Sequence, residues 1–262
     1  MNLQPHALVT NDDGIDSAFL HALVDALRKD FRVSVAAPSS EQSWIGRAIS
    51  RRDQISVSKE SSYFASEVEA WAISGTPTDC VNIGLGHLVT SKPDIVVSGI
   101  NIGYNTTEAL ILSSGTIAGA IEGAFWNIPA IAFSKSIPKE LFEEVRISKG
   151  KTNGSFANSL EIAADHSRSM ALQALEMPRA YGSVINVNFP PQTLTESKIE
   201  DTFPERVEMG CLYAKVAPDR YEFSFKEGEN LDRHPKTDRA ALRRGLISRS
   251  ILEFSRIGAR HS

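Results

Sequence analysis

The residues best equipped for chemistry lie near the start of the chain, in Thr10-Asn11-Asp12-Asp13-Gly14. Adjacent carboxylates repel each other when both are ionised, and a bound cation relieves that repulsion. An isolated Asp-Asp-Gly reads more simply as a solvated turn, so the assignment rests on what else the chain brings alongside it. Ser43, in a polar loop over 39–47, and Asn101, in a glycine- and amide-rich stretch over 98–105, offer neutral oxygens. Together with Asp12 and Asp13 they make an oxygen-only donor set, which suits Mg²⁺, Mn²⁺ or Ca²⁺ and disfavours a zinc site of sulfur and imidazole. The six histidines are scattered and form no competing cluster.

A cation in a mostly neutral pocket invites an anion. Ser113-Ser114-Gly115-Thr116 opens a helix of small residues, so free N–H groups, the positive end of the dipole and hydroxyls combine into a phosphate cradle. On its own that stretch also reads as an ordinary serine-capped helix. Metal beside phosphate, with no Gly-x-x-x-x-Gly-Lys-Ser/Thr anywhere, points to metal-assisted hydrolysis rather than P-loop chemistry. Gly84-Leu85-Gly86 lacks the third glycine of a dinucleotide fingerprint, and no Gly-x-Ser-x-Gly elbow is present.

These residues need a scaffold, and the hydrophobic pattern supplies one. Ala7 to Val9 reads as a short buried strand running into the acid pair. Phe19, Leu20, Leu23, Val24 and Leu27 then mark one face of a helix. Arg32 to Pro38 reads as a second strand, and short strands flank a polar hairpin at Lys59 to Ser62 within 55–73. Gly75-Thr76-Pro77-Thr78-Asp79 reads as a helix start, with Thr76 as N-cap and Asp79 reaching back, in a helix running to Ser91. Pro93 to Val97 and Pro129 to Phe133 are further buried strands, separated by the small-residue helix. Residues 135–154 read as an exposed loop, Asn158 to Leu175 as a helix and Val184 to Phe189 as a strand stopped by Pro190-Pro191. Beyond Asp201 come two hairpin strands, a polar loop over 226–236, a short helix near Ala240 and a last strand to Leu252. Alternating strand and helix with short links imply an α/β fold with a Rossmann-like, mostly parallel sheet covered by helices on both faces. Loops at the carboxyl ends of such strands share one edge, where Asp12, Ser43 and Asn101 converge.

The chain has 262 residues, enough for a core over 1–200 with an appended C-terminal arm over 201–262. Its net charge of -4 gives no general attraction to nucleic-acid polymers. Cys80 and Cys211 form no metal motif, and no leader or membrane-spanning run is evident, so a cytoplasmic protein is expected.

The ordered set Thr10 to Gly14, Ala37-Pro38 through Ser43, Gly75 to Cys80, Ser98-Gly99-Ile100-Asn101-x-Gly-x-Asn105 and Ser114-Gly115-Thr116 resembles the SurE family of metal-dependent nucleotidases. Asn186 to Pro190 and Thr237-Asp238-x-Ala240-Ala241-Leu242 extend the likeness over nearly the whole chain. By that resemblance Asp12, Asp13, Ser43 and Asn101 are expected to hold one Mg²⁺ or Mn²⁺ per subunit, with Asp12 and Asp13 positioning the attacking water. Asn11, Asn105, Ser114, Gly115 and Thr116 are expected at the phosphate. It further implies nucleoside 5′- or 3′-monophosphates as substrates. It also implies a homodimer or homotetramer formed partly by exchange of the C-terminal arm. A broad acid phosphatase or short-chain polyphosphatase, or a non-catalytic nucleotide-binding protein, stays open as an alternative. Trp44 departs from the pattern, standing where the family usually has glycine. It leaves two readings, a ring that stacks on a nucleobase or one that packs on protein.

Overall fold

The structure, a computed structural model, describes residues 4–60, 62–231 and 233–256. Parts of the expected hairpin at 59–62, the 226–236 loop and the tail of the arm lie outside the described residues. In chain order the elements begin β1 (His6–Thr10), α1 (Ala18–Leu27), β2 (Arg32–Pro38), β3 (Val57–Lys59), β4 (Glu69–Ile73) and α2 (Pro77–Ile83). They continue with β5 (Ile95–Ile102), α3 (Thr107–Ser113), α4 (Gly115–Phe125), β6 (Ala130–Lys135), α5 (Phe142–Ile147), α6 (Gly154–Glu176) and β7 (Ser183–Phe189). The last are β8 (Ile199–Asp201), β9 (Val207–Glu208), β10 (Tyr213–Ala217), β11 (Arg220–Phe223), β12 (Glu229–Asn230), α7 (Asp238–Arg243) and β13 (Ile247–Glu253).

The main sheet runs β3-β4-β2-β1-β5-β6-β7-β13-β8. Strands β4, β2, β1, β5, β6 and β7 are mutually parallel, while β3 and β13 pair antiparallel with β4 and β7. The α/β reading holds. The strand order reverses between β1 and β5, because the chain first winds outward through β2 and β4, then returns to build β5, β6 and β7 on the other side. That reversal opens a crevice at the carboxyl ends of β1 and β5, the general ligand position of open α/β sheets.

Helices α1 and α6 cover one face, and α2 and α4 cover the other. β1 and β6 are buried along their full length, as a sheet clad on both sides requires. The capping box starts α2 as expected, Thr76 Oγ1 accepting from the Asp79 N–H and Asp79 accepting from the Thr76 N–H. The helix then ends earlier than expected and widens into a π turn at Gly84–Leu88. There Gly84 rests on Ala36 and Leu8, where an added Cβ would lie 3.2 and 3.3 Å from them.

Small residues set how closely α4 approaches the sheet. Cβ atoms at Gly115, Gly119 and Gly123 would fall 2.8 Å from Asp12 Cβ, 2.8 Å from Thr10 Cγ2 and 2.6 Å from Val96. A bulkier residue at any of these i, i+4 positions would lift the helix off β1 and β5. The glycine stripe thus brings the start of α4 against the acid pair.

Two expectations need correction. The 98–105 stretch is not a free loop: β5 continues to Ile102, with a bulge in its pairing to β6 between Ser98 and Asn101. Residues 107–113 form α3, and the expected loop over 135–154 contains α5. Each is a helix of fewer than eight residues, too short for a periodic signal. In the C-terminal region β13 pairs with β7 in the main sheet.

Candidate metal and phosphate site

β1 delivers Asp12 and Asp13 to the mouth of the crevice, and Gly14 turns the chain with φ +99°, a conformation favouring glycine. Asn11 is fully buried and its Nδ2 donates to Gly14 O at 2.9 Å, so its side chain holds the turn. The Thr116 hydroxyl donates to Asp12 Oδ1 at 2.6 Å, and the Ile102 N–H donates to Asp13 Oδ2 at 2.9 Å. One contact comes from α4 and the other from the end of β5, so both neighbours of the crevice orient the pair.

Among the described residues no lysine or arginine forms an ion pair with either carboxylate. Burial pushes Asp12 up to about 6, although the Thr116 hydroxyl and nearby backbone amides pull the other way. Burial and then the Asp12 charge drive Asp13 well above the usual carboxylate range. Glu41 raises both further, adding a third negative charge that sequence reasoning had not singled out.

Ser43 lies in the exposed loop, where its N–H donates to Glu41 Oε1 at 3.1 Å. The loop is tied to the pair itself, because the Gln42 N–H donates to Asp12 O at 2.7 Å. Asn101 is nearly buried, and its Nδ2 donates to Gly103 O at 3.1 Å, which directs the amide. Among the described residues no group of three or more His, Cys, Asp or Glu is placed to hold a metal ion. A cation here would therefore meet two carboxylates plus neutral oxygens, and an uncompensated acid pair in a desolvated crevice fits a hard divalent ion.

The expected phosphate set is gathered at the same place, but much of it is committed to the protein. Ser114 Oγ caps α4 by accepting from the Ile117 N–H at 3.1 Å. Asn105 Nδ2 donates to Ser134 Oγ at 2.8 Å and to Thr116 Oγ1 at 3.3 Å. Gly115, packed against Asp12, gives the crevice a backbone edge rather than a side chain. Sequence reasoning placed Asn186 and Asn188 only within a resemblance. In the structure both are buried on β7, donating to Asn105 O at 2.9 and 3.1 Å, while Asn188 Oδ1 accepts from the Asn105 N–H at 2.7 Å. The signal was the alternation of Asn186, Val187, Asn188 and Phe189, whose polar face serves the site instead of solvent.

Further out, Asp238 and Glu205 form a second buried acid pair. Asp238 accepts from the N–H groups of Thr107, Glu205 and Arg239 at 2.8, 3.0 and 2.8 Å. Burial pushes it up to about 6, with Glu205 adding to the rise. Arg239 Nε lies 3.3 Å from Glu205 Oε2, so this pair carries its own cation.

A sequence profile described as Survival protein SurE matches residues 7–209. The chain is 32% identical over 235 residues to the 5′-nucleotidase SurE of Chlorobaculum tepidum, covering 88% of this chain and 76% of that protein. It is 31% identical over 261 residues to the 5′-nucleotidase SurE of a Cyanothece species, covering 95% of this chain and 90% of that one. The crystal structure of SurE protein from Aquifex aeolicus superposes with a TM-score of 0.71 at 28% identity, covering 95% of this chain and 93% of that chain. The acid pair, the sheet that presents it and the extent of these matches agree: the chain belongs to the SurE family.

Proposed function

We propose that this chain hydrolyses nucleoside 5′-monophosphates to nucleoside and phosphate with the help of one divalent cation held by Asp12, Asp13, Ser43 and Asn101. Membership of a family whose matched relatives are named 5′-nucleotidase supports the nucleotidase class. One observation carries the metal dependence: two adjacent carboxylates in a desolvated crevice, joined by Glu41, have no basic partner among the described residues.

A divalent cation bound there would neutralise charge on the phosphoryl oxygens and acidify a water. The chain's residues do the rest. Thr116 and the Ile102 amide keep the two carboxylates aimed into the crevice. An aspartate of the pair orients the attacking water and accepts its proton. The backbone at the start of α4 and the braced Asn105 loop confine the phosphate. Water oxygen bonds to phosphorus, the P–O5′ bond breaks, and the nucleoside leaves as an alcohol after taking a proton. We further propose that 3′-monophosphates enter the same crevice, and that the chain assembles as a homodimer or homotetramer.

Phosphate release from AMP, measured with Mn²⁺, Mg²⁺ or EDTA, tests the reading. Release with metal and none with EDTA is expected, at a higher kcat/KM than for tripolyphosphate. No release from AMP with any metal sinks the nucleotidase reading.

A further inference from the structure

The loop that carries Ser43 is pinned at both ends, the Gln42 N–H on Asp12 O at 2.7 Å and the Gly46 N–H on Ser113 O at 2.9 Å. Trp44 sits at its midpoint with φ +60°, a backbone conformation that bulky residues rarely adopt. Strain of that kind persists where the surroundings hold a side chain in a particular place. The indole meets the β10–β11 hairpin, its centroid 5.0 Å from Phe223 at 63° and 6.0 Å from Phe225 at 59°. Tyr213, opposite Phe223 in the hairpin register, braces that ring edge-on at 6.2 Å.

These rings touch edge to face and leave area uncovered: Trp44, Phe223 and Phe225 are 42%, 49% and 44% exposed. A cluster of that kind beside a polar crevice marks a binding surface. Its position selects the occupant. Gln42, two residues before Trp44, bonds Asp12 O, so the ring cluster is tied to the rim of the crevice that holds the acid pair. A nucleotide whose phosphate lies in that crevice is the occupant with both a polar end for the crevice and an aromatic end for the rings.

We propose that Trp44, Phe223 and Phe225 form the wall on which the substrate's nucleobase stacks, a specificity element built partly from the C-terminal hairpin. The inference rests on the nucleotidase reading, which supplies the nucleotide. Every base offers a π face, so the wall favours nucleosides over bare sugars without choosing strongly among bases.

Calorimetric titration of adenosine, with ribose as the base-free control and no metal present, tests the wall independently of hydrolysis. Wild-type protein is expected to bind adenosine and not ribose. Trp44→Ala and Phe223→Ala should weaken adenosine about five- to hundredfold, with Trp44→Phe restoring most of the affinity. Phe223→Ala lies outside the metal loop and carries the test if Trp44→Ala fails to fold. Failure of wild type to bind adenosine, or equal binding by the alanine variants, overturns the proposal. So does a Trp44→Ala variant that loses subunit association in sedimentation while binding adenosine normally, because a second copy of the chain would then be the occupant. Absent AMP hydrolysis with intact adenosine binding would instead count against the nucleotidase reading alone.

Discussion

Two acid pairs, one at the mouth of the crevice and one buried about 200 residues further along the sequence, have been solved in opposite ways. Asp238 and Glu205 are tied to three backbone N–H groups and to Arg239, so their charge is compensated within the fold. Asp12 and Asp13 receive the Thr116 hydroxyl and backbone amides, that of Ile102 among them, but no lysine or arginine among the described residues, with Glu41 adding charge of the same sign. Burial pushes both Asp12 and Asp238 up to about 6, so the shift alone does not distinguish a site from a strut. The partners do. An acid pair with its own arginine fastens α3 and α7 together, whereas the pair without one is where we propose that a cation binds.

Removing one member of each pair should therefore act with opposite sign on the metal-free protein. Glu205→Gln removes one of the two carboxylates paired with the buried Arg239, Glu227 at 3.0 Å being the other, and is expected to cost about 1.5–3 kcal/mol, read as a drop in Tm. Asp13→Asn removes repulsion from Asp12 and should raise Tm in EDTA, by on the order of 1–2 kcal/mol. A fall in both variants would mean that the Asp12–Asp13 pair is structural too.

A smaller effect separates the pairs by pH. Asp238 sits near 6 in the folded protein against about 3.9 for an unfolded aspartate, so folding favours its protonated form. Its contribution to stability is full below about pH 4 and is lost as pH rises through 6. Between pH 5 and pH 7 that loss amounts to about 1 kcal/mol. Denaturation at the two pH values in EDTA should show Asp238→Asn losing less stability than wild type over this interval. Equal losses would show that Asp238 is ionised throughout.

The contrast also explains how much could be read in advance. The acid pair, the strand that bears it, the capping box at Thr76 and the small-residue start of α4 are local patterns, and all appeared in the sequence. What compensates or supports them comes from far away. Asn188 reaches Asn105 across 83 residues, and Asp238 reaches Thr107 across 131, and no periodicity records such pairings. Lys135 shows the same limit. A charged residue at a strand end reads as exposed, yet it is fully buried, with its Nζ donating to Ser159, Thr193 and the carbonyls of Pro190 and Pro191. The hydroxyl and carbonyl oxygens that receive it come from two segments, Ser159 on α6 and the stretch 190–193 after β7. Helices α3 and α5 were hidden for a different reason, being shorter than two helical turns of usable pattern.

The central claim is that the crevice pair awaits a cation and the Asp238–Glu205 pair does not. Calorimetric titration of Mn²⁺ into metal-free protein tests it directly. One ion per chain is predicted for wild type, with binding abolished in Asp12→Asn and retained in Asp238→Asn. Wild-type protein that binds no Mn²⁺, or an Asp12→Asn variant that binds it as wild type does, would contradict the account.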